Sequence, residues 1–471
     1  MADQTVKTIR YPVKGRKLEQ TVTQRTLDLL VAQLENWQQG PGVFGRLNLH
    51  ACWSIAGVLD RRYQGETVSL FPGLMAFVRK LYEKARNPKW LMLENSMAAH
   101  LLYLQDKSGG FIHATSEFEP TFDTSGCPIH WFNPVIALCE YYMWEYADET
   151  VKALIPAALD RQWEWALTHS WKAGNGHVGR LTFPGFCGVT NQDLAAVAAL
   201  ALTGKALGNW ERYEQYGKPC LDHYLSPAFY YKDIGLFERG DNDNFAERTH
   251  YYNVILRLLK TIYGATGEER LMEVFDNVAD HIFDAVYVGE DGLTYLARGA
   301  KTDPLDKSRV LAWERGPISF NGYPPLILCL QDYLTRHPDG ARSRTVEALR
   351  DTVAAYIFAD GSIPQGLFHS DPLYAVATYP DPEGYYELVL QVLGDDWQDP
   401  RPVTPPALCR RAGNVTWKQN GPLWGIEKDG KRVYGGFSRF AGGVTLGPEE
   451  KPVWGDYEAL EEYDLLEILE G

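Results

Sequence analysis

Apolar residues recur at three- and four-residue intervals over nine stretches of the chain. These are Leu27 to Trp37, Leu70 to Ala85, Pro134 to Tyr146, Val151 to Thr168, Leu194 to Thr203, Tyr251 to Tyr263, Leu271 to Phe283, Leu326 to Leu334 and Val346 to Phe358. That period gathers apolar side chains on one face of a helix. Between the stretches lie Gly-rich turns: GPGVFGR from Gly40, KSGGFIH around Gly109, GNGHVGR around Gly176, DIGLFERG around Gly235, EDGLTYLARG around Gly292 and ADGSIPQG around Gly361. The central glycines stand 57 to 69 residues apart. Two helices of about 15 residues with their connections fill a unit of about 60. Six units between residues 20 and 395 predict a mainly α fold, an (α/α)6 toroid of helical hairpins whose loops collect at one end. An irregular all-α domain in which the turns recur by chance is the alternative.

The period changes after residue 395. DDWQDPRPVTPPA reads as a linker, and VTWKQNGPLWGIEKDGKRVYGGF alternates about an Asp429-Gly430 pair, the signature of a β-hairpin. The predicted organisation is an N-terminal extension over 1–18, the toroid over 19–395, a linker over 396–407 and a small antiparallel β unit over 408–471 that covers one face of the ring.

Composition narrows the class. With 45% hydrophobic and 23% charged residues in a chain of 471, a sizeable core is within reach. A net charge of -15 without a basic stripe argues against nucleic acid, and an anionic substrate would need a local cluster of Arg or Lys. The start of the chain lacks the apolar core of a signal peptide, and no run approaches the ~18 apolar residues of a membrane span. A cytoplasmic protein with no membrane partner is the expectation; a leader removed ahead of this sequence stays open, as does assembly into a homo-oligomer. The seven cysteines are scattered and never spaced CxxC, which suits reduced thiols. GxGxxG occurs at Gly40-Gly42-Gly45 and Gly174-Gly176-Gly179, but neither follows a strand in a βαβ unit. The DNDN run at Asp241 lacks the glycine and terminal glutamate of a calcium loop. No cofactor and no metal are therefore expected. The 14 Trp and 27 Tyr suit either a core of large rings or a groove lined by flat faces for sugars.

Two stretches carry candidate chemistry. In GVTNQDLAAVAALALTG, Thr190, Asn191 and Asp193 offer an N-cap, and Gly204 offers a stop. Asn191 and Gln192 then sit at the positive end of a buried helix, either as caps or as amides for a substrate carboxylate. In FAERTHYYNVILRLLKTIYG, His250, Asn253, Arg257 and Lys260 share one helix face. That stripe is either solvated or turned into a central cavity. Tyr251 and Tyr252 flank it, as core residues or as proton-transfer groups whose pKa Arg248 would lower.

An Asn and an amide heading an apolar helix that ends Leu-Thr-Gly, then a helix headed by Arg and a His-Tyr-Tyr run about sixty residues later, resembles the alginate-lyase and heparinase-type polysaccharide lyases. The resemblance implies an (α/α) toroid with antiparallel β structure acting on an oligosaccharide. It implies Asn191 and Arg248 at the substrate carboxylate and Tyr251 or Tyr252 as the proton-transfer residue. Gln192 stands where that family often has His, so His250 or a tyrosine would have to serve as base. Further substrate-binding candidates head helices elsewhere: Trp313, Glu314 and Arg315 in one loop, His369 in another, and His130 with Trp131 in a third. The expected reaction is β-elimination at a uronic acid. The alternative is a glycoside hydrolase on the same ring, which needs two facing carboxylates, with Glu119, Asp123, Glu247, Glu314 and Asp371 as candidates. A helical scaffold without catalysis is a third class, and it would show tighter repeats.

Overall fold

Among the described residues, twelve helices of seven residues or more follow one another. They are α1 (Gln24–Trp37), α2 (Phe71–Ala85), α3 (Pro88–Tyr103), α4 (Pro128–Met143), α5 (Ile155–Thr168), α6 (Thr190–Leu207), α7 (Lys218–Tyr224), α8 (Tyr252–Thr266), α9 (Arg270–Ile282), α10 (Tyr323–Arg336), α11 (Gly340–Ala355) and α12 (Glu387–Leu393). The computed structural model describes residues 9–37, 68–115, 121–123, 128–168, 187–241, 245–370, 372–376, 378, 382–406, 408–420, 423–428, 431–436 and 443–445. The turns at Gly40 and Gly176 lie outside them.

The even-numbered helices form the inner ring. α2 packs on α4, α4 on α6, α6 on α8 and α8 on α10. α10 meets α12 and the turn Pro382–Tyr386 ahead of it, and that turn returns to α2. The odd-numbered helices stand outside as hairpin partners, with α1 against α12. The chain is thus an (α/α)6 toroid. Sequence decides which helix goes where. α9 buries Leu271, Phe275, Val278, Ala279 and Ile282, a single stripe at three- and four-residue spacing, and turns the rest outward. α6 is buried without a break from Thr190 to Leu202, as an inner helix between two neighbours must be. No helix among the described residues is long and apolar enough to cross a membrane.

α6 departs from expectation at both ends. Its first turn is not capped by Asn191. The Asp193 carboxylate reaches back to the N–H groups of Cys187 (2.7 Å) and Gly188 (2.8 Å). The helix also runs past Gly204 to Leu207 and stops at Gly208, at φ 72°. Gly204 is needed for packing instead: a Cβ there would lie 2.6 Å from the Trp210 ring.

Connections from inner to outer helices are short, as at Arg86-Asn87 or 337–339, while those from outer to inner are long. The long ones hold the Gly turns and a series of two-stranded antiparallel ribbons: β1 (His113–Thr115) with β2 (Thr121–Asp123), β3 (Tyr230–Tyr231) with β4 (Leu236–Phe237), β5 (Val286–Val288) with β6 (Thr294–Leu296) and β7 (Gly299–Thr302) with β8 (Val310–Glu314). A fifth ribbon joins β9 (Ile318–Ser319) to β10 (Gly366–Leu367). Gly109, Gly235, Gly292 and Gly361 all take positive φ (110°, 59°, 80° and 81°), which explains why the repeat is written in glycine. The described parts of the long loops lie where the inner helices begin.

A five-stranded meander follows the ring: β11 (Leu408–Ala412), β12 (Val415–Asn420), β13 (Leu423–Lys428), β14 (Lys431–Gly436) and β15 (Gly443–Thr445). Lys428 pairs with Lys431, the register that a two-residue connection at Asp429-Gly430 predicts from sequence, and those two residues lie outside the described ones. β11 is pinned to the α11–α12 loop by a buried ion pair, Arg410 Nη2 to Asp360 Oδ2 at 2.6 Å. The stretch expected to be a linker is strapped down: Asp399 accepts from Asn87 Nδ2 and Trp90 Nε1, each at 2.7 Å.

Candidate functional site

A cavity of about 360 Å³ runs down the ring axis from the long-loop end. Its lining includes His130 and Asn133 from α4, His250 and Tyr251 from the turn before α8, Asn253 and Arg257 from α8, and Ser319 and Asn321 from the loop at β9. The polar stripe of α8 therefore faces the ring interior. Only its last member leaves: Lys260 pairs with Asp332 at 2.8 Å.

Lower in the cavity, Glu383 forms an ion pair with Arg257. The two belong to segments separated in the ring by α10, so the pair crosses the interior. Gly73 in α2 makes room for it, since a Cβ there would stand 1.9 Å from Glu383 Cγ. Below, Lys80 pairs with Glu387 at 2.5 Å.

His250 sits at the mouth. Its Nε2 is buried without a hydrogen-bond partner, and its ring lies 4.1 Å from that of Tyr251. Burial, then the charges of Arg248, Arg239 and Arg298 and the nearby His369, push its pKa down to about 3, so the imidazole is neutral near pH 7. Neither Arg248 nor Arg298 forms an ion pair among the described residues, though the charge of Arg248 reaches Glu247. Asn253 donates to the His250 carbonyl, and the loop at Gly322 closes over both: a Cβ at 322 would be 3.1 Å from His250 Cβ.

Behind Tyr251 lies a residue that sequence reasoning missed. Arg239 lays its guanidinium 4.7 Å from the Tyr251 ring centroid. It donates to Asn191 Oδ1 (2.9 Å) and to Glu247 Oε2 (2.8 Å). Glu247 is fully buried. Burial raises its pKa against the opposing pull of Arg239, and its other oxygen accepts from the N–H of Arg248 at 2.8 Å. A closed loop sets this up, with Glu238 bridged to Ala246 and Arg239 N–H bonded to Phe245. A written signal existed: Glu238-Arg239 and Glu247-Arg248 flank the DNDN run as matching pairs.

The other predicted residues divide. Asn191 joins the Arg239 network. Gln192, on the same turn, is buried with its Oε1 unpartnered, outside the cavity lining. Tyr252 is not brought into the cavity: it is 1% exposed, and its hydroxyl accepts from Phe237 N–H at 2.9 Å. Trp131 is not either, packing edge-on against Trp165 of α5 at 5.1 Å. Arg248 is exposed, and the guanidinium at the tyrosine is that of Arg239 instead. His369 stacks flat on Tyr374 at 4.0 Å and reaches the Ile318 carbonyl at 3.2 Å. Trp313 is half-buried on β8, Glu314 is exposed beside it, and Arg315 lies over Tyr287 at 4.8 Å. Of the carboxylates proposed for hydrolysis, Glu247 is taken up by Arg239, while Glu119 and Asp371 lie outside the described residues. The side chain of Asp123 does so too, although its backbone is in β2. Among the described residues, no group of three or more His, Cys, Asp or Glu is placed to hold a metal ion.

No family model matches the sequence, and no curated protein matches it. Solved structures do match in fold. A sugar epimerase from a ruminal bacterium has a TM-score of 0.55 at 13% identity, covering 80% of this chain and 98% of its own. Cellobiose 2-epimerase from Bacillus thermoamylovorans B4167 has 0.51 at 13%, covering 77% and 95%. A D-mannose isomerase has 0.50 at 11%, covering 78% and 96%. The resemblance to toroid carbohydrate-active enzymes thus holds at the level of the ring.

Proposed function

We propose that this chain is a carbohydrate-active enzyme that cleaves a uronic-acid-containing oligosaccharide by β-elimination at the mouth of the ring cavity. The observation that carries the reading is local charge. In a chain of net charge -15, Arg248 and Arg298 press on an imidazole whose buried Nε2 has no hydrogen-bond partner, and neither arginine forms an ion pair among the described residues, although the charge of Arg248 also reaches Glu247. An anionic sugar is the partner that such a site lacks. Its carboxylate would meet the arginines, which makes the neighbouring C5 proton acidic. It would also offset the charges that depress His250, so that the imidazole becomes a competent base as substrate arrives.

The steps balance. His250 takes the C5 proton, the electron pair forms the C4–C5 double bond, and the C4–O4 bond breaks. Tyr251 protonates the departing O4 with Arg239 stabilising the phenolate that results. The imidazolium then returns its proton to Tyr251. No water is consumed. Asn191 and Glu247 act through Arg239 as positioning residues. The same groups also support a second reading, because His369 lies near enough to act electrostatically on His250. Two imidazoles could move a proton off and onto a carbon beside a carbonyl without cleavage.

The test is a panel of uronate oligosaccharides followed by ultraviolet absorbance and reducing-end release, with a parallel run in heavy water. Absorbance rising with new ends is expected, with His250→Ala and Tyr251→Phe each slowed by about 10²–10⁴-fold. New ends without absorbance would replace elimination by hydrolysis. Deuterium uptake without new ends would favour the two-imidazole reading.

A further inference from the structure

Phe368 is 55% exposed and holds φ at 59°. A bulky residue in the left-handed region is a true outlier, and such strain persists only where the surroundings fix it. They do so on both sides. β10 locks residues 366 and 367 against β9, and the ring of His369 folds back over Gly366, where a Cβ would stand 2.7 Å from Nε2. The constraint holds an apolar ring out in water, one residue past β10, whose partner strand supplies Ser319 to the cavity lining.

The ring does not stand alone. Tyr295 meets it edge-on at 5.2 Å and is itself fixed by hydrogen bonds to Asp291 (2.7 Å) and Tyr356 (3.0 Å). Tyr287 follows at 5.8 Å, with the Arg315 guanidinium 4.8 Å from its centroid. Arg315 has no carboxylate partner among the described residues. From His369 outward, the rim therefore presents the exposed Phe368 ring and the exposed Arg315 guanidinium, linked beneath by the fully buried Tyr295 and the half-buried Tyr287.

We propose that this rim, with Phe368 as platform and Arg315 as anion partner, is a second binding region that takes further acidic sugars of the same oligosaccharide. An exposed aromatic face suits the C–H face of a sugar ring, and the guanidinium, three ring contacts away, suits a carboxylate farther along the oligosaccharide. The proposal rests on the reading of the site as one for uronate oligosaccharides. It adds that the enzyme gains affinity from a unit beyond the one being cleaved.

Calorimetric titration with uronate disaccharide and tetrasaccharide tests it. The native protein should bind the tetrasaccharide about tenfold tighter. Phe368→Gly and Arg315→Gln should each bring the two ligands within about twofold, and Phe368→Trp should keep the difference. Glycine accepts φ 59° without strain, so Phe368→Gly should melt no lower than the native protein. A residue kept for structure would do the reverse. A length preference that survives both variants, or none in the native protein, overturns the second binding region. If length-dependent binding appears without ultraviolet product, the second region stands and elimination falls. If ultraviolet product appears without length dependence, elimination stands and the second region falls.

Discussion

Gly73→Ala should invert the usual effect of that substitution. In a helix interior the change normally stabilises by about 0.8–1 kcal/mol, because alanine has less backbone freedom to lose. Here the new methyl would lie 1.9 Å from Glu383 Cγ, 2.8 Å from Cδ and 3.1 Å from Cβ. The clash is with the stem of the side chain, so rotating its tip gives no relief. Overpacking of this kind costs about 1–3 kcal/mol. The Arg257–Glu383 pair would part as well. Its members are 31% and 33% exposed, so we assign that loss only a few tenths to about 1 kcal/mol. The net expectation is destabilisation of about 1–2 kcal/mol, read from denaturant midpoints. The decisive comparison is made in a Glu383→Gly background, where Cγ, Cδ and the Cβ at 3.1 Å are all absent. There the methyl has room, and Gly73→Ala should stabilise by about 0.5–1 kcal/mol. If Gly73→Ala is neutral or stabilising with Glu383 present, the glycine is not what admits the carboxylate to the ring interior.

Two further predictions concern buried charge. Burial raises the Asp193 pKa to about 6 despite the hydrogen bonds it accepts. Its folded value thus lies above its unfolded one, so its contribution is fully present below about pH 4 and is lost as pH rises through about 6, on the order of 3 kcal/mol. Unfolding at several pH values should show this slope in the native protein and not in Asp193→Asn; equal slopes would refute it. Arg410→Ala leaves Asp360 charged and buried, with its side chain 1% exposed, and should destabilise by about 3–5 kcal/mol. Limited proteolysis should then cut first between α12 and β11; an unchanged digestion pattern would mean that the ion pair does not hold the sheet down.

The ring was legible because it is periodic. Apolar spacing marked the helices, and the glycines marked the outer-to-inner turns where positive φ is required. The polar stripe of α8 was visible, but its direction was not, since a stripe facing a lumen and one facing solvent share a sequence pattern. Tyr251 and Tyr252 could not be told apart: one residue's step, a rotation of about 100–120°, sends one to the cavity and the other to a backbone N–H of β4. Arg239 went unseen because a loop closure, not a helix period, carries it to Tyr251. The start of α6 misled because Asp193 binds backward into the chain, which looks the same in sequence as a forward cap.

The closing contact of the ring joins the first helix made to the last. α12 packs against α1, and the turn before it against α2, so the circle stays open until residue 393 is synthesised. Roughly 300 residues separate the end of α2 from the end of α12. At about 5–20 residues per second the nascent chain carries an unsealed edge for some 15–60 s. During that wait the flank of α2 that will meet the turn Pro382–Tyr386 has no neighbour on that side, and a chaperone on the ribosome has its longest opportunity to bind.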